Sequence, residues 1–375
     1  MSLSTPLSLT AEEQVARARA DLRIGVPVAL ISASGGASGG ALVVAAETLS
    51  EARLAALRAA GPEALDLAIT HRRAETLRAR AYDGELARVV VPTDADAAWV
   101  LATADPSRDL ATPLKGPYAT RREGPSDLHA MALALAKRAR LLPAAVVAVW
   151  ANAGHVRSLA AGAGLTTLTG VLLRRAAEAA PRMERVSGAR VPTRFAAAGR
   201  CHVFRPADGG EEHYAIEIGQ PSRTAPVLAR LHSACFTGDV LGSLKCDCGA
   251  QLAAAMTRIA AEGSGILLYM NQEGRGIGLA NKMRAYALQD QGYDTVEANH
   301  RLGFEDDERD FRLGAEILKA MGFCAVRLMT NNPAKIAMMR EAGVEVTERV
   351  ALKVGRTAHN EAYLATKAAK SGHLL

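Results

Sequence analysis

Aromatic residues make up only 4% of this 375-residue chain. Nowhere do they interleave with a run of lysines and arginines, so the stacking platform of a nucleic-acid binder is missing. The net charge of +6 suits a polyanionic small molecule equally well. No uninterrupted apolar run reaches the roughly 18 residues of a membrane span. The first ten residues hold no basic stretch followed by an apolar one, the mark of a secretory signal. Cysteine is scarce: there are five, an odd number, and three of them sit close together. That excludes a disulfide framework and points to a reducing compartment. The expectation is therefore a cytoplasmic protein with no nucleic-acid and no membrane partner. The glycine-rich stretch SASGGASGG, from Ser32 to Gly40, lacks the Lys-Ser/Thr pair of a phosphate loop; Ala41-Leu42 follows instead, and a plain loop is expected.

The length allows two domains, each large enough to bury a core. With 49% hydrophobic and 22% charged residues, the composition is that of a globular protein. Thr10-Ala11-Glu12-Glu13 reads as a capping box opening a helix to about Arg23. Val26–Ser32, Ala87–Val91 and Ala144–Trp150 read as strands; Ala52–Ala60, Arg72–Ala79 and Asp127–Leu141 read as helices. Pro181–Pro192 is polar, with two prolines and a glycine, and reads as a linker. Beyond it, His213–Ile218, Ala225–His232, Ile266–Met270 and Val326–Met329 read as strands, and helices are expected over Gly249–Ala261 and Asn281–Asp290. This alternation predicts two α/β domains.

The second half is organised around Leu231–Leu252, LHSACFTGDVLGSLKCDCGAQL, in which Cys235, Cys246 and Cys248 are spaced C-x10-C-x-C. Three thiolates in so short a segment suit zinc, and His232 is a possible extra ligand. Three ligands with an open position would activate a bound water. The competing reading is ordinary buried cysteines. Asn271–Gly278 is a glycine-rich turn with an arginine, able either to grip phosphate or merely to turn the chain. Asp306–Asp310 is a charge run, and such runs are usually solvated faces. Tyr286, on its helix, could simply be half-buried. Thr330–Lys335 combines a hydroxyl, a helix start and a lysine, all able to serve a phosphate. Cys201 and Cys324 fall outside these motifs.

HSACFTGDVLGSLKCDCGAQL resembles the zinc segment of GTP cyclohydrolase II. The matches continue in order through NQEGRGIGL (271–279), NKMRAYALQDQGYDTVEANHRLGF (281–304), DDERDF (306–311), TNNPAK (330–335) and the ending GHLL. The resemblance runs from about Val186 to Leu375 and implies a mixed sheet flanked by helices over residues 190–375. It also implies hydrolysis of GTP to 2,5-diamino-6-ribosylamino-4(3H)-pyrimidinone 5′-phosphate, formate and pyrophosphate, the first step of riboflavin synthesis. One Zn²⁺ per subunit would be held by Cys235, Cys246 and Cys248, with Mg²⁺ on the triphosphate, in a homodimer. The family's substrate contacts fall on Arg230, His232, Ser233, Gln251, Glu273, Gly274, Arg275, Thr295, Thr330 and Lys335. Its catalytic positions fall on Tyr286, Asp307 as proton acceptor and Arg309 as proposed nucleophile on the α-phosphate. A guanidinium stays protonated, so Arg309 either passes its proton to a carboxylate or only stabilises charge on the phosphate. Two positions depart from the family pattern: Ala234 stands where an acid is usual, and Asn271 where an arginine is. Either could alter the ring chemistry or be a lineage difference. The other functions to weigh are a related cyclohydrolase of another pathway, such as pyrimidine catabolism, and a non-catalytic nucleotide sensor.

The first half is similar to 3,4-dihydroxy-2-butanone 4-phosphate synthase through LRIGVPVALI…ALVVAAE, ITHRRAETL and PLKGPYATRREG. That family's acidic metal-binding loop aligns with Ser32–Ala41, where no carboxylate or arginine remains, and a family histidine aligns with Pro125. Hard metal ions need oxygen ligands and proton transfer needs a titratable group. Residues 1–185 are therefore expected to be a degenerate, non-catalytic domain with a role in stability, dimer contacts or regulation.

Overall fold

The structure, a computed structural model, describes residues 8–32, 39–179 and 181–355. The GHLL ending and most of the SASGGASGG loop lie outside them. The chain divides into two compact bodies. One comprises Met1–Ala179 with Met283–Tyr293 and Glu297–Glu305; the other comprises Ala180–Lys282 with Asp294–Val296 and Asp306–Leu375. The helix Leu279–Asp290 therefore begins in the second body and continues in the first.

The first body is built on six strands: β1 (Val28–Ile31), β2 (Gly40–Ala45), β3 (Ala64–Thr70), β4 (Leu86–Val90), β5 (Ala144–Trp150) and β6 (Thr167–Thr169). Their order is β4-β3-β5-β2-β1-β6. All pairs are antiparallel except β1 with β6. β5 is the apolar run AAVVAVW, paired on both edges, and its continuous hydrophobicity follows from burial on both faces. The helix Asp127–Arg138 buries Leu128, Ala132, Leu135 and Ala136, the i, i+4, i+7, i+8 stripe that helical geometry puts on one face. The capping box closes as read: the Thr10 backbone N–H donates to Glu13 at 2.7 Å, and Glu13 N–H donates to Thr10 Oγ1 at 3.2 Å.

The second body holds β7 (Met183–Arg190), β8 (Gly199–Pro206), β9 (His213–Ile218), β10 (Val227–Ser233), β11 (Gly265–Met270), β12 (Ala325–Met329) and β13 (Glu345–Val350). The order is β13-β12-β10-β11-β9-β8-β7. β13, β12, β10 and β11 run parallel; β9, β8 and β7 continue antiparallel from β11. This is a mixed α/β sheet. The three central parallel strands deliver their carboxyl ends side by side, the place where such sheets bind ligands.

The reading of Pro181–Pro192 as a linker is corrected. Most of it is β7, paired with β8 along its length with a bulge between Arg185 and Ser187. β7 is an edge strand exposed almost throughout, so it shows no alternation of apolar and polar residues. The two prolines flank the strand and do not interrupt it.

Candidate active site

Three motifs arrive on three neighbouring strands. β10 ends at Ser233 and leads to Cys235; β11 ends at Met270 and leads to Glu273–Gly276; β12 ends at Met329 and leads to Thr330–Lys335. β10 lies between the other two in parallel register.

Strand alternation sorts the residues of β10. Arg230 and His232 share one face, Leu231 and Ser233 the other. Arg230 is buried and donates to the Gln251 side chain at 2.5 Å and to the Met329 carbonyl at 3.0 Å. Gln251, on the helix Cys248–Ala261, donates in turn to Asp247. Ser233 Oγ accepts from Arg309 Nη1 at 3.1 Å. Arg309 also makes a two-pronged contact with Asp307, at 2.7 Å from Nε and 2.5 Å from Nη2. Lys335 donates to the Leu231 carbonyl at 3.0 Å and lies over the Phe311 ring. Thr330 is buried in a local turn, its hydroxyl accepting from the Asn332 N–H.

The Glu273–Gly276 turn holds two consecutive residues in left-handed conformation, Gly274 at φ 63° and Arg275 at φ 61°. For Arg275 this is a strained position of the kind found at functional sites. The turn is clamped to the charged run: Arg275 Nη1 donates to the Asp306 carbonyl at 3.1 Å, and the Glu308 N–H donates to the Arg275 carbonyl at 3.0 Å. The charge run is therefore not simply a solvated face.

The three cysteines converge. The sulfurs of Cys235, Cys246 and Cys248 lie within 4.8 Å of one another, and Cys235 and Cys246 are 3.7 Å apart. Two thiolates on a tetrahedral zinc, at bond lengths of about 2.3 Å, stand about 3.8 Å apart. Gly238 leaves the space the cluster needs: a Cβ there would lie 2.8 Å from Cys246 Sγ and 3.1 Å from Cys235 Sγ. The donor set and its spacing fit a zinc ion. His232 is not among the ligand atoms brought together, and its Nε2 donates to Asp239 at 3.0 Å.

Residues 184–351 match the model of the GTP cyclohydrolase II family. A GTP cyclohydrolase-2 from Azospirillum brasilense is 43% identical over 380 residues, covering 98% of this chain and 96% of its own length. The chain belongs to the GTP cyclohydrolase II family. The GTP cyclohydrolase-2 of Citrobacter koseri is 58% identical over 196 residues, 52% of this chain and 98% of its own. Among solved structures, a two-domain 3,4-dihydroxy-2-butanone 4-phosphate synthase from A. baumannii aligns over 92% of this chain and 100% of its own, at 17% identity. Its TM-score is 0.33.

Within this cyclohydrolase-family site, three residues escape sequence reasoning. Asp239, buried at 3% side-chain exposure, accepts from His232 Nε2, from the Cys235 N–H at 3.0 Å and from the Tyr269 hydroxyl at 3.0 Å. Tyr269 stacks on His232 with ring centroids 5.6 Å apart. Lys282 donates to Cys235 Sγ at 3.0 Å. Asp239 stands inside the cysteine segment itself, an acid among apolar neighbours, and that was the available signal.

Environment sets the charges. Burial pushes His232 below its ordinary value despite the Asp239 carboxylate, so the ring is neutral near pH 7. Burial lowers Arg230 to about 10. Burial pushes the Asp307 carboxyl up, but the hydrogen bond and charge of Arg309 outweigh it and hold the group below the usual range. Cys235 is driven far down, first by hydrogen bonds from Cys246 and Cys248 and then by Lys282. Cys246 and Cys248 are pushed up, first by hydrogen bonding to the Cys235 sulfur and then by burial and its charge. Burial and Asp239 raise the Tyr269 phenol, which stays protonated and donates.

Thr295 heads the helix Thr295–Leu302, and Tyr286 belongs by its neighbours to the first body. The two departures are accommodated locally: the Ala234 N–H donates to the Met270 carbonyl at 2.8 Å, and the Asn271 side chain donates to the Glu212 carbonyl.

Proposed function

We propose that this chain hydrolyses GTP to 2,5-diamino-6-ribosylamino-4(3H)-pyrimidinone 5′-phosphate, formate and pyrophosphate, opening riboflavin synthesis. The observation that carries this reading is the convergence of a zinc-spaced cysteine trio with two phosphate-competent motifs at the ends of adjacent parallel strands. Cys235, Cys246 and Cys248 would hold the zinc, which when bound would supply Lewis acidity for opening the guanine ring.

The chain's own groups would do the rest. Arg275, Thr330 and Lys335 bind the triphosphate, together with Mg²⁺, whose preference is for phosphate oxygens. Arg230 and Gln251, already bonded to each other, offer a polar partner to the guanine edge. Arg309, pinned by Asp307 and Ser233, meets charge developing at the α-phosphate. A guanidinium forked onto a carboxylate keeps its proton, which favours charge stabilisation over nucleophilic attack. Glu273, Gly274, His232, Ser233, Thr295 and Tyr286 complete the substrate and catalytic positions of the family. The active form is a homodimer, and residues 1–185 form a non-catalytic domain beside the cyclohydrolase domain of residues 190–375. Charged groups in the first half pair with one another: Asp66 with Arg121 and His129, Arg73 with Asp109.

The test is incubation of the purified chain with GTP, Mg²⁺ and Zn²⁺, beside Cys246→Ser. Formate, pyrophosphate and the diaminopyrimidine from the wild type, with formate lost in the variant, support the reading. GTP binding without turnover overturns it.

A further inference from the structure

Lys282 reaches the sulfur of Cys235 from the start of the helix Leu279–Asp290. Its ammonium has three protons to donate, and its acceptors include Cys235 Sγ at 3.0 Å, Thr237 Oγ1 at 2.9 Å and Glu273 Oε1 at 2.8 Å. The residue is 9% exposed, and an ammonium so far from water needs partners of this kind. Glu273 is fixed in turn. Its other oxygen accepts from the Phe236 N–H at 2.6 Å, and Oε1 also accepts from the Gly274 N–H at 3.0 Å. A carboxylate locked to two backbone segments thus aims a cation at one particular sulfur.

Three thiolates outweigh a divalent cation by one negative charge, and each pushes electron density onto the metal. A cation bonded to one of those sulfurs draws density back and restores the metal's pull on a fourth ligand. The Gly238 N–H, which donates to the same sulfur at 3.4 Å, acts in the same direction.

We propose that Lys282, clamped by Glu273 and Thr237, is a positioning residue that fixes the Cys235 sulfur and withdraws charge from it, setting the metal's affinity and electrophilicity. This rests on the zinc-dependent cyclohydrolase reading only for its effect on formate release. The effect on the metal is measured separately.

The experiment compares full-length wild type with Lys282→Met and Lys282→Arg. Each is loaded with Co²⁺ to read the sulfur-to-metal charge-transfer band, and each is titrated against a chromophoric chelator. Removing the cation raises the energy of the sulfur lone pair, so the band of Lys282→Met moves to longer wavelength. Its metal affinity falls about 10- to 100-fold because the Cys235 sulfur loses the donor that positions it, a loss that outweighs the stronger donation of the released sulfur. Lys282→Arg, which keeps the charge, holds the wild-type band. Formate release from GTP falls more than pyrophosphate release in Lys282→Met. A wild-type band and affinity in Lys282→Met would overturn the proposal. If Lys282→Met does not fold, Thr237→Val, which removes one anchor and leaves the charge, must shift the band partway, and an unshifted band overturns the proposal equally. A wild type that binds cobalt but releases no formate would sink the cyclohydrolase reading and leave the assignment of Lys282 standing on the band and the affinity.

Discussion

Replacing Gly238 with alanine should destroy the cysteine cluster's hold on a metal. The added methyl would meet Cys246 Sγ at 2.8 Å, Cys248 Cβ at 2.9 Å and Cys235 Sγ at 3.1 Å. Ordinary contact starts near 3.4 Å, so the Cys246 sulfur alone must retreat by about 0.6 Å. Metal–ligand distances tolerate only about 0.2 Å. None of the three atoms is the free end of a flexible chain, so the strain stays in the cluster. We expect metal affinity to drop by at least about tenfold and stability by roughly 1–3 kcal/mol from overpacking. Gly242→Ala is the control. Gly242 lies in the same segment at φ +64°, with nothing within 4 Å of an added Cβ. It should lose roughly 1–2 kcal/mol through backbone strain alone and keep its metal. Urea denaturation gives the stabilities, and chelator competition gives the affinities. Wild-type metal affinity in Gly238→Ala, or equal metal loss in the two variants, would refute the reasoning.

Asp307→Asn should free Arg309 from its fork and lower pyrophosphate release about 100-fold, measured by a coupled pyrophosphate assay, with zinc content unchanged. The same variant carries a pH signature. The folded-state carboxyl of Asp307 is depressed, so its contribution to stability is complete above the unfolded value of about 3.9 and lost as pH falls through the lower folded value. The acid limb of the stability curve below about pH 4 should be shallower in Asp307→Asn than in wild type. The full-length protein, given ribulose 5-phosphate and Mg²⁺, should form no dihydroxybutanone phosphate; detection of that product by chromatography would show the first half to be active.

Much of this architecture could be read from the chain because local signals agreed with the fold. β5 and β9 are uninterrupted or alternating apolar runs, and Thr10 with Glu13 writes its own cap. β7 could not be read, because a strand at the sheet edge with solvent on its side chains has no hydrophobic period to display. In the site, the cysteine spacing pointed to zinc while leaving buried thiols open, and the structure brings the three sulfurs within 4.8 Å of one another, with Cys235 and Cys246 3.7 Å apart. Lys282 was invisible, since 47 residues separate it from Cys235 and a helical lysine is ordinarily solvated. Tyr269 was hidden for a similar reason: it reads as one apolar position in ILLYM, and only the pairing of β11 beside β10 sets it against His232. Both partners are fixed by how the elements pack in three dimensions, which spacing along the sequence does not encode.

The three bonds that Asp239 accepts have a consequence for how the cluster is assembled. They tie the Cys235 backbone, the His232 ring and the Tyr269 hydroxyl into place through protein atoms alone. The Cys235 arm of the cluster is thus held by protein atoms alone, and a bound ion would join a site already partly built. Its loss in a zinc-poor cell would idle the protein without unravelling it, and resupply would return it to work without a second round of synthesis.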